Sequence, residues 1–304
     1  MRPSCTTMDG TASMKGHSMK HGLYAPNFGT FGNIADLVAF AQAAEEAGWD
    51  GFFLWDHLQT IDLPPEGPVI DPWIAMAAFA CTTERLRFGA LVTPLARRRP
   101  WKVARETATL DHLSDGRLVF GTGIGGDWYR EYSGFGEDPD DRLHAAMLDE
   151  ALEVLDRLWS GEPVTFHGKH YQLTDIKFHP TPVQQPRIPV WLAGIWPGTK
   201  PFQRAAAWDG VFPIFRPGGT FPPHEIREML AYIHQFRTSA DPFDVVITTK
   251  SHEPGKTDPV ASEAYLDELE ALEEAGVTWS FQSLGLNLAV DDVIAVIRQD
   301  PPSR

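Results

Sequence analysis

A few short stretches hold the residues best able to do chemistry. Asp56-His57 sets a carboxylate beside an imidazole. Imidazole titrates near neutrality, and an adjacent carboxylate can orient it or hold it charged. As a functional group His57 would donate a proton, or a hydrogen bond to a redox ring; as a structural one it would be tied to a loop carbonyl. Neighbours in a strand leave it in opposite directions, so the two need not touch. Gly121-Thr122-Gly123-Ile124-Gly125-Gly126 lets backbone approach a ligand closely, or simply turns tightly. A long loop rather than an immediate helix follows it, which excludes a dinucleotide fingerprint. Gly194-Ile195-Trp196-Pro197-Gly198-Thr199-Lys200 precedes a helix whose free N–H groups, with Thr199 and Lys200 alongside, would hold a phosphate. The plainer reading is a helix cap. Arg97-Arg98-Arg99 could meet an anionic tail, although such a run is more often a solvated loop. His167 and His170 flank a turn with no third ligand nearby, which disfavours a metal.

The elements that position these groups alternate regularly. Phe88 to Val92 is a nearly all-apolar strand, Trp101 to Leu113 a helix with Val103, Thr107, Leu110 and Leu113 at helical spacing, and Leu118 to Thr122 the next strand. Ser114-Asp115-Gly116 ends the helix. Strand–helix–strand of this kind makes a parallel pair with a right-handed crossover. Six further strands fit the pattern: His21–Pro26, Gly51–Trp55, Ile188–Ala193, Gly210–Phe215, Phe243–Thr249 and Val277–Ser283. Asn33 can cap the first helix, and Leu148, Ala151, Leu152, Leu155, Leu158 and Trp159 make the clearest apolar stripe in the chain. Val164 to Leu173 reads as a small hairpin about Gly168-Lys169, inserted before the fifth strand. Eight strands alternating with helices predict an α/β fold, a single closed (β/α)8 barrel rather than an open sheet.

In such barrels the chemistry sits at the C-terminal ends of the strands. Here those ends read Asn27-Phe28, Asp56-His57, Thr93-Pro94, Gly121 to Asp127, Gly194 to Lys200, Phe215-Arg216, Thr248-Thr249 and Gln282-Ser283. Few are charged and several are glycine or aromatic. That suits a flat, largely apolar ligand with a phosphate tail better than a metal cage.

Composition removes other classes. The net charge of −15 over 304 residues argues against non-specific binding to nucleic acid or anionic membranes. No stretch approaches the roughly 18 to 20 unbroken apolar residues of a membrane span. Two cysteines, Cys5 and Cys81, make a disulfide framework or zinc cluster implausible, so a reducing, cytoplasmic setting is expected. Residues 1–18 are polar, with no apolar signal-peptide core, and read as a disordered extension before a domain over 19–304.

Several stretches together resemble the bacterial luciferase-like family of flavin- and deazaflavin-dependent oxidoreductases. They are MKHGLYAPNFG at the start of the domain, AEEAGWDGFFLWDH, and RLRFGALVTPLARRRPWKVARETATLDHLSDGRLVFGTGIGG, followed by GDWYREYSGFG, LDEALEVLDRLWSG and PRIPVWLAG. The resemblance implies a (β/α)8 barrel with reduced FMN or coenzyme F420 over the strand ends. It also implies a bulge with a non-proline cis peptide near Ala90-Leu91, behind the ring. By the same resemblance Asp56 and His57 lie near the ring's reactive edge, Thr93, Gly121 and Gly123 line the cofactor, and Gly194 to Thr199, including Ile195 and Gly198, form the phosphate loop. Bulky Ile195-Trp196-Pro197 departs from the small residues common there. A homodimer is a family expectation.

The expected activity is therefore oxidoreduction of a small organic substrate: monooxygenation with FMN and O2, or hydride transfer with F420, a separate flavin or F420 reductase being a possible partner. His57 is assigned proton delivery or ring polarisation. Phe28, Trp55, Trp128, Tyr129 and Trp196 are candidates for an apolar substrate wall, with loop core the stronger reading for Trp55. Two rivals stand beside this. One is a metal-dependent barrel hydrolase using Asp56 and His57, against which Ala25-Pro26-Asn27 stands where such enzymes often carry His-x-His. The other is a flavin-binding barrel without turnover.

Overall fold

The computed structural model describes residues 19–60, 67–214, 221–252, 262–286 and 288–302. In chain order the strands are β1 (Lys20–Ala25), β2 (Gly51–Leu54), β3 (Arg87–Ala90), β4 (Thr93–Pro94), β5 (Phe120–Gly123), β6 (Val164–His167), β7 (Gln172–Ile176), β8 (Val190–Ile195), β9 (Gly210–Ile214), β10 (Asp244–His252) and β11 (Trp279–Leu284). The helices are α1 (Ile34–Glu46), α2 (Pro72–Thr82), α3 (Pro100–Leu113), α4 (Asp141–Trp159), α5 (Thr199–Ala205), α6 (Pro223–His234), α7 (Glu263–Glu274) and α8 (Val290–Ile297).

Nine strands join in the order β3-β2-β1-β11-β10-β9-β8-β5-β4, every pairing parallel. The two ends of that order, β3 and β4, are pieces of one continuous stretch, and a parallel bridge from Phe88 to Leu118 ties it to the stave containing β5. The sheet thus closes on itself as eight staves, one of them broken, and the predicted barrel is the fold. The predicted hairpin is the antiparallel pair β6–β7.

The break revises one expectation. The non-proline cis peptide joins Leu91 to Val92, one bond beyond Ala90-Leu91. Both residues join the interior cluster, Leu91 fully and Val92 partly buried, where an unbroken strand sends neighbours to opposite faces.

Local chemistry explains where the helices begin. Asn33 Oδ1 accepts from the Ala35 N–H at 2.9 Å, Asp71 from Ile74 at 3.0 Å and Asp140 from Arg142 at 2.7 Å, each satisfying an N–H that lacks an intrahelical partner. Pro72 and Pro100 open α2 and α3, where a missing N–H costs nothing.

Burial falls in two shells. The outer one lies between barrel and helices and takes the α4 stripe with Phe40, Phe79, Leu192 and Ile233. The inner one fills the barrel with Phe53, Leu91, Val119, Trp191, Phe212, Val246, Trp279 and Phe281. Phe53 stacks on Trp191 with centroids 5.4 Å apart and meets Phe281 at 4.8 Å, an arrangement that favours aromatic pairs beyond their buried area. Tyr24, Val92, Ala193 and Ile214 sit against this plug but are only partly buried.

Candidate active site at the barrel mouth

Tyr24, Val92, Ala193 and Ile214 come from the C-terminal ends of β1, the broken third stave, β8 and β9, so they form an apolar floor at the mouth. Tyr24 is fixed by its hydroxyl, which donates to the Leu91 carbonyl at 2.6 Å, and burial raises its pKa far above the ordinary phenol value. Beside the floor runs a chain of rings. Trp55 lies 5.7 Å from Tyr24, 5.8 Å from Phe28 and 5.7 Å from His57, and Tyr129 reaches His57 edge-on at 5.2 Å.

His57 is held from both sides. Buried Asn27 donates to the His57 carbonyl at 2.8 Å and accepts from its N–H at 3.1 Å, which locks the backbone as the chain leaves β2. The ring Nδ1 meets Glu131 Oε2 at 3.0 Å, and the Leu58 N–H donates to Glu131 Oε1 at 2.6 Å. Nε2 has no protein partner among the described residues, and the side chain keeps 21% of its surface exposed.

Asp56 does not touch His57. It turns inward, 1% exposed, where Arg98 Nη2 donates to both carboxylate oxygens at 3.0 and 2.8 Å. Arg97 links the two carboxylates. Its Nη2 donates to the Asp56 carbonyl at 2.7 Å, and its Nη1 forms an ion pair with Glu131 Oε1 at 3.0 Å. The expected solvated arginine loop is thus a buried clamp, with Arg97 5% and Arg98 20% exposed; only Arg99 is exposed. The physical reason is the pair of buried carboxylates, whose desolvation is tolerable only with cations against them. Burial alone would raise the pKa of Glu131. The hydrogen bond and charge of His57, the charge of Arg97 and the Leu58 N–H outweigh it, and the net shift is downward.

Glu131 is the site residue that the sequence reading missed. It lies in the long aromatic loop, 74 positions from His57. The same loop is zipped to the exit of β2 by Gln59, whose side-chain amide donates to the carbonyls of Tyr129 at 2.6 Å and Arg130 at 3.0 Å. Asp127 accepts from the Tyr132 and Ser133 N–H groups, fixing its base.

The other expected residues are placed less uniformly. Gly121 meets neighbouring chain: a Cβ there would fall 2.4 Å from the Ala90 carbonyl oxygen and 2.3 Å from Leu91. Gly123, two residues on, has open ordinary contact with Val92 and Ala193 at 3.5 Å and so lies beside the floor. Thr93 is fully buried and accepts from the Thr122 hydroxyl through its carbonyl at 2.8 Å. Gly194 packs against Pro201 of α5, Ile195 is 49% exposed, and Gly198, Thr199 and Lys200 are exposed. The Gly198 N–H is already used by the Ile195 carbonyl at 2.8 Å. Trp196 packs on Phe202 at 5.0 Å and Tyr232 at 6.2 Å, among α5 and α6. Trp128 is 72% exposed and lies over Gly126, while Phe28 is buried. Phe215-Arg216 and the 1–18 segment lie outside the described residues.

A flat heteroaromatic ring fits this mouth. Beyond the floor, Trp55 Nε1 and Thr93 Oγ1 are buried polar atoms at stave ends with no hydrogen-bond partner among the described residues, and the carbonyl and ring nitrogen edges of such a ligand would satisfy groups of this kind. A metal fits poorly. No group of three His, Cys, Asp or Glu among the described residues could hold one, Asp56 is taken by Arg98, and His57 Nδ1 is taken by Glu131.

Residues 10–283 match the family described as luciferase-like monooxygenase. The chain belongs to that family. Among its relatives, an F420-dependent hydroxymycolic acid dehydrogenase of Mycobacterium tuberculosis is 35% identical over 52% of this chain and 44% of its own length. An F420-dependent glucose-6-phosphate dehydrogenase of Beutenbergia cavernae is 34% identical over 53% of this chain and 47% of its own. The chain spans about half the length of the curated relatives it matches. Among solved structures, an F420-dependent secondary alcohol dehydrogenase in complex with an F420-acetone adduct superposes with a TM-score of 0.74 at 19% identity, covering 93% of this chain and 99% of that one. The oxygenating constituent of 3,6-diketocamphane monooxygenase from Pseudomonas putida, in complex with FMN, gives 0.69 at 15% identity over 94% and 98%. These two likenesses concern the fold alone.

Proposed function

We propose that the protein is an oxidoreductase that holds coenzyme F420 across the barrel mouth and exchanges a hydride with a small organic substrate. The observation that carries this is the pairing of an apolar floor with one imidazole whose outer nitrogen has no partner among the described residues: Tyr24, Val92, Ala193 and Ile214 below, His57 Nε2 at the edge. The dehydrogenase relatives named for F420 favour it over FMN. When bound, the deazaflavin supplies a carbon that gives or accepts hydride, and the protein supplies orientation and protons.

On this reading the floor would seat the ring, with Gly123 leaving room for it beside the fourth stave. Trp55 Nε1 and Thr93 Oγ1 would be available to its polar groups, and Thr199 with Lys200 would be candidates to hold its phosphate. His57 moves the proton that must accompany hydride transfer at an alcohol or carbonyl, from Nε2. Phe28, Trp55 and Tyr129 exclude water beside it. The enzyme would work in the cytoplasm as a homodimer, with a separate F420 reductase recycling the cofactor.

Parallel titrations of the purified protein with F420 and with FMN test the assignment. Tight binding of F420 with weak binding of FMN is the expected result. The reverse would make it a monooxygenase using reduced FMN and O2, and binding of neither would remove the site from the mouth.

A further inference from the structure

We propose that Glu131, clamped by Arg97, is the positioning residue that sets the tautomer of His57, and that Asp56 serves only to anchor the clamp. The proposal deepens the reading of His57 given above and rests on it for its catalytic consequence.

The argument begins with which atoms are occupied. A carboxylate accepts and does not donate, so the 3.0 Å contact between Glu131 Oε2 and His57 Nδ1 requires a proton on Nδ1. In its neutral form His57 then presents a lone pair at Nε2, and in its charged form a proton there. One nitrogen therefore serves as both base and acid without the ring turning. Glu131 itself cannot rotate away. Its second oxygen is held by the Leu58 N–H at 2.6 Å and by Arg97 Nη1 at 3.0 Å, and its side chain is only 4% exposed. The charged groups facing the imidazole are thus Glu131 from the loop and, behind it, Arg97. Asp56 is neutralised by Arg98 and by Arg97 at 3.7 Å, and the surrounding rings of Phe28, Trp55 and Tyr129 are uncharged.

The structure thereby separates two carboxylates that sequence adjacency would confuse. Asp56 is beside His57 in the chain but reaches it only through Arg97; Glu131 is distant in the chain but in direct contact. Arg97 makes the pair a single unit, since its Nη2 holds the Asp56 carbonyl and its Nη1 holds Glu131. Loss of Glu131 should alter the ring directly, while loss of the Asp56 charge should alter it only if the clamp fails.

The test needs no cofactor. In protein labelled with 15N at histidine, long-range 15N–1H correlations report the tautomer of His57. Wild-type protein should show Nδ1–H in the neutral form. Glu131→Gln, which keeps the shape but whose amide can donate as well as accept, should let the neutral ring populate the Nε2–H tautomer. Asp56→Asn should leave the tautomer unchanged. A neutral wild-type ring protonated at Nε2, or an unaltered tautomer population in Glu131→Gln, would overturn the proposal. If Glu131→Gln fails to fold, the wild-type tautomer still decides, and Arg97→Lys, retaining a charge but not the fork, should give a smaller change in the same direction. In protein loaded with F420, Glu131→Gln should lower kcat about tenfold or more with KM for the cofactor unchanged. Should F420 and FMN both fail to bind while the tautomer holds, the enzyme assignment falls and the positioning contact stands.

Discussion

Two glycines on one strand should respond in opposite ways to the same added methyl group. Gly121 and Gly123 are two apart in β5 and present the same face. At Gly121 an alanine Cβ would stand 2.4 Å from the Ala90 carbonyl oxygen, a backbone atom that cannot turn aside, and 2.3 Å from Leu91 Cδ2. Overpacking of this kind costs about 1–3 kcal/mol. With a carbonyl as the obstacle we take about 3, offset by about 0.4–1 from the reduced freedom of the unfolded chain. The net is roughly 2 kcal/mol of destabilisation for Gly121→Ala. At Gly123 the nearest atoms are 3.5 Å away, ordinary contact, so Gly123→Ala should be neutral or stabilising by up to about 1 kcal/mol. Urea unfolding followed by tryptophan fluorescence measures both. With a slope of about 3 kcal/mol per M, Gly121→Ala should lower the midpoint by roughly 0.7 M. The added methyl at Gly123 stands beside floor residues Val92 and Ala193, so on the proposed function that variant should instead weaken cofactor binding. Equal midpoint shifts for the two variants, or a Gly121→Ala protein as stable as wild type, would refute the packing argument.

Arg98→Ala removes both hydrogen bonds from buried Asp56 while Arg97 remains 3.7 Å away, so stability should fall by about 2–3 kcal/mol, less than a fully stripped buried carboxylate; pairing it with Asp56→Asn should recover part of the loss in the same unfolding assay. Glu45 accepts from the N–H groups of Glu84, Arg85 and Leu86 at the entrance to β3; burial raises its pKa, but these bonds and the Arg85 charge bring it below the ordinary value. A depressed carboxylate stabilises above its unfolded pKa and loses that contribution as pH falls through the folded one, so the acid limb of the stability curve should flatten in Glu45→Gln. Glu150 similarly takes the N–H groups of Lys169, His170 and Tyr171 at the hairpin turn, and Glu150→Ala should speed amide exchange there without changing exchange in the barrel staves.

The eight staves were legible because a strand covered on both faces needs a continuous apolar run, and such runs recur between helical stripes along the chain. The α4 stripe, the Asn33 cap and the hairpin are local patterns and could be read the same way. The Arg97–Glu131–His57 contacts were not, because they join three loops and sequence spacing carries no information about which charge is buried. Arg97 and Arg98 look solvated until two carboxylates are found with 1% and 4% exposed side chains. A signal was nevertheless present: an arginine run at the working end of a barrel, with acids at the exits of neighbouring staves, is the pattern a buried clamp requires. Trp196 misled for the converse reason, since an aromatic after a stave can turn out to the helices as readily as in to the mouth.

The aromatic plug has a kinetic consequence. Phe53, Trp191, Trp279 and Phe281 are at most 1% exposed and fill the barrel below the floor, so a ligand resting on Tyr24 and Ala193 has no exit downward. Two ligands stacked in that mouth must then enter and leave in a compulsory order, the deeper first in and last out. The residence time of the deeper one should lengthen as the concentration of the upper one rises, which turns a packed core into a rule about sequence in time.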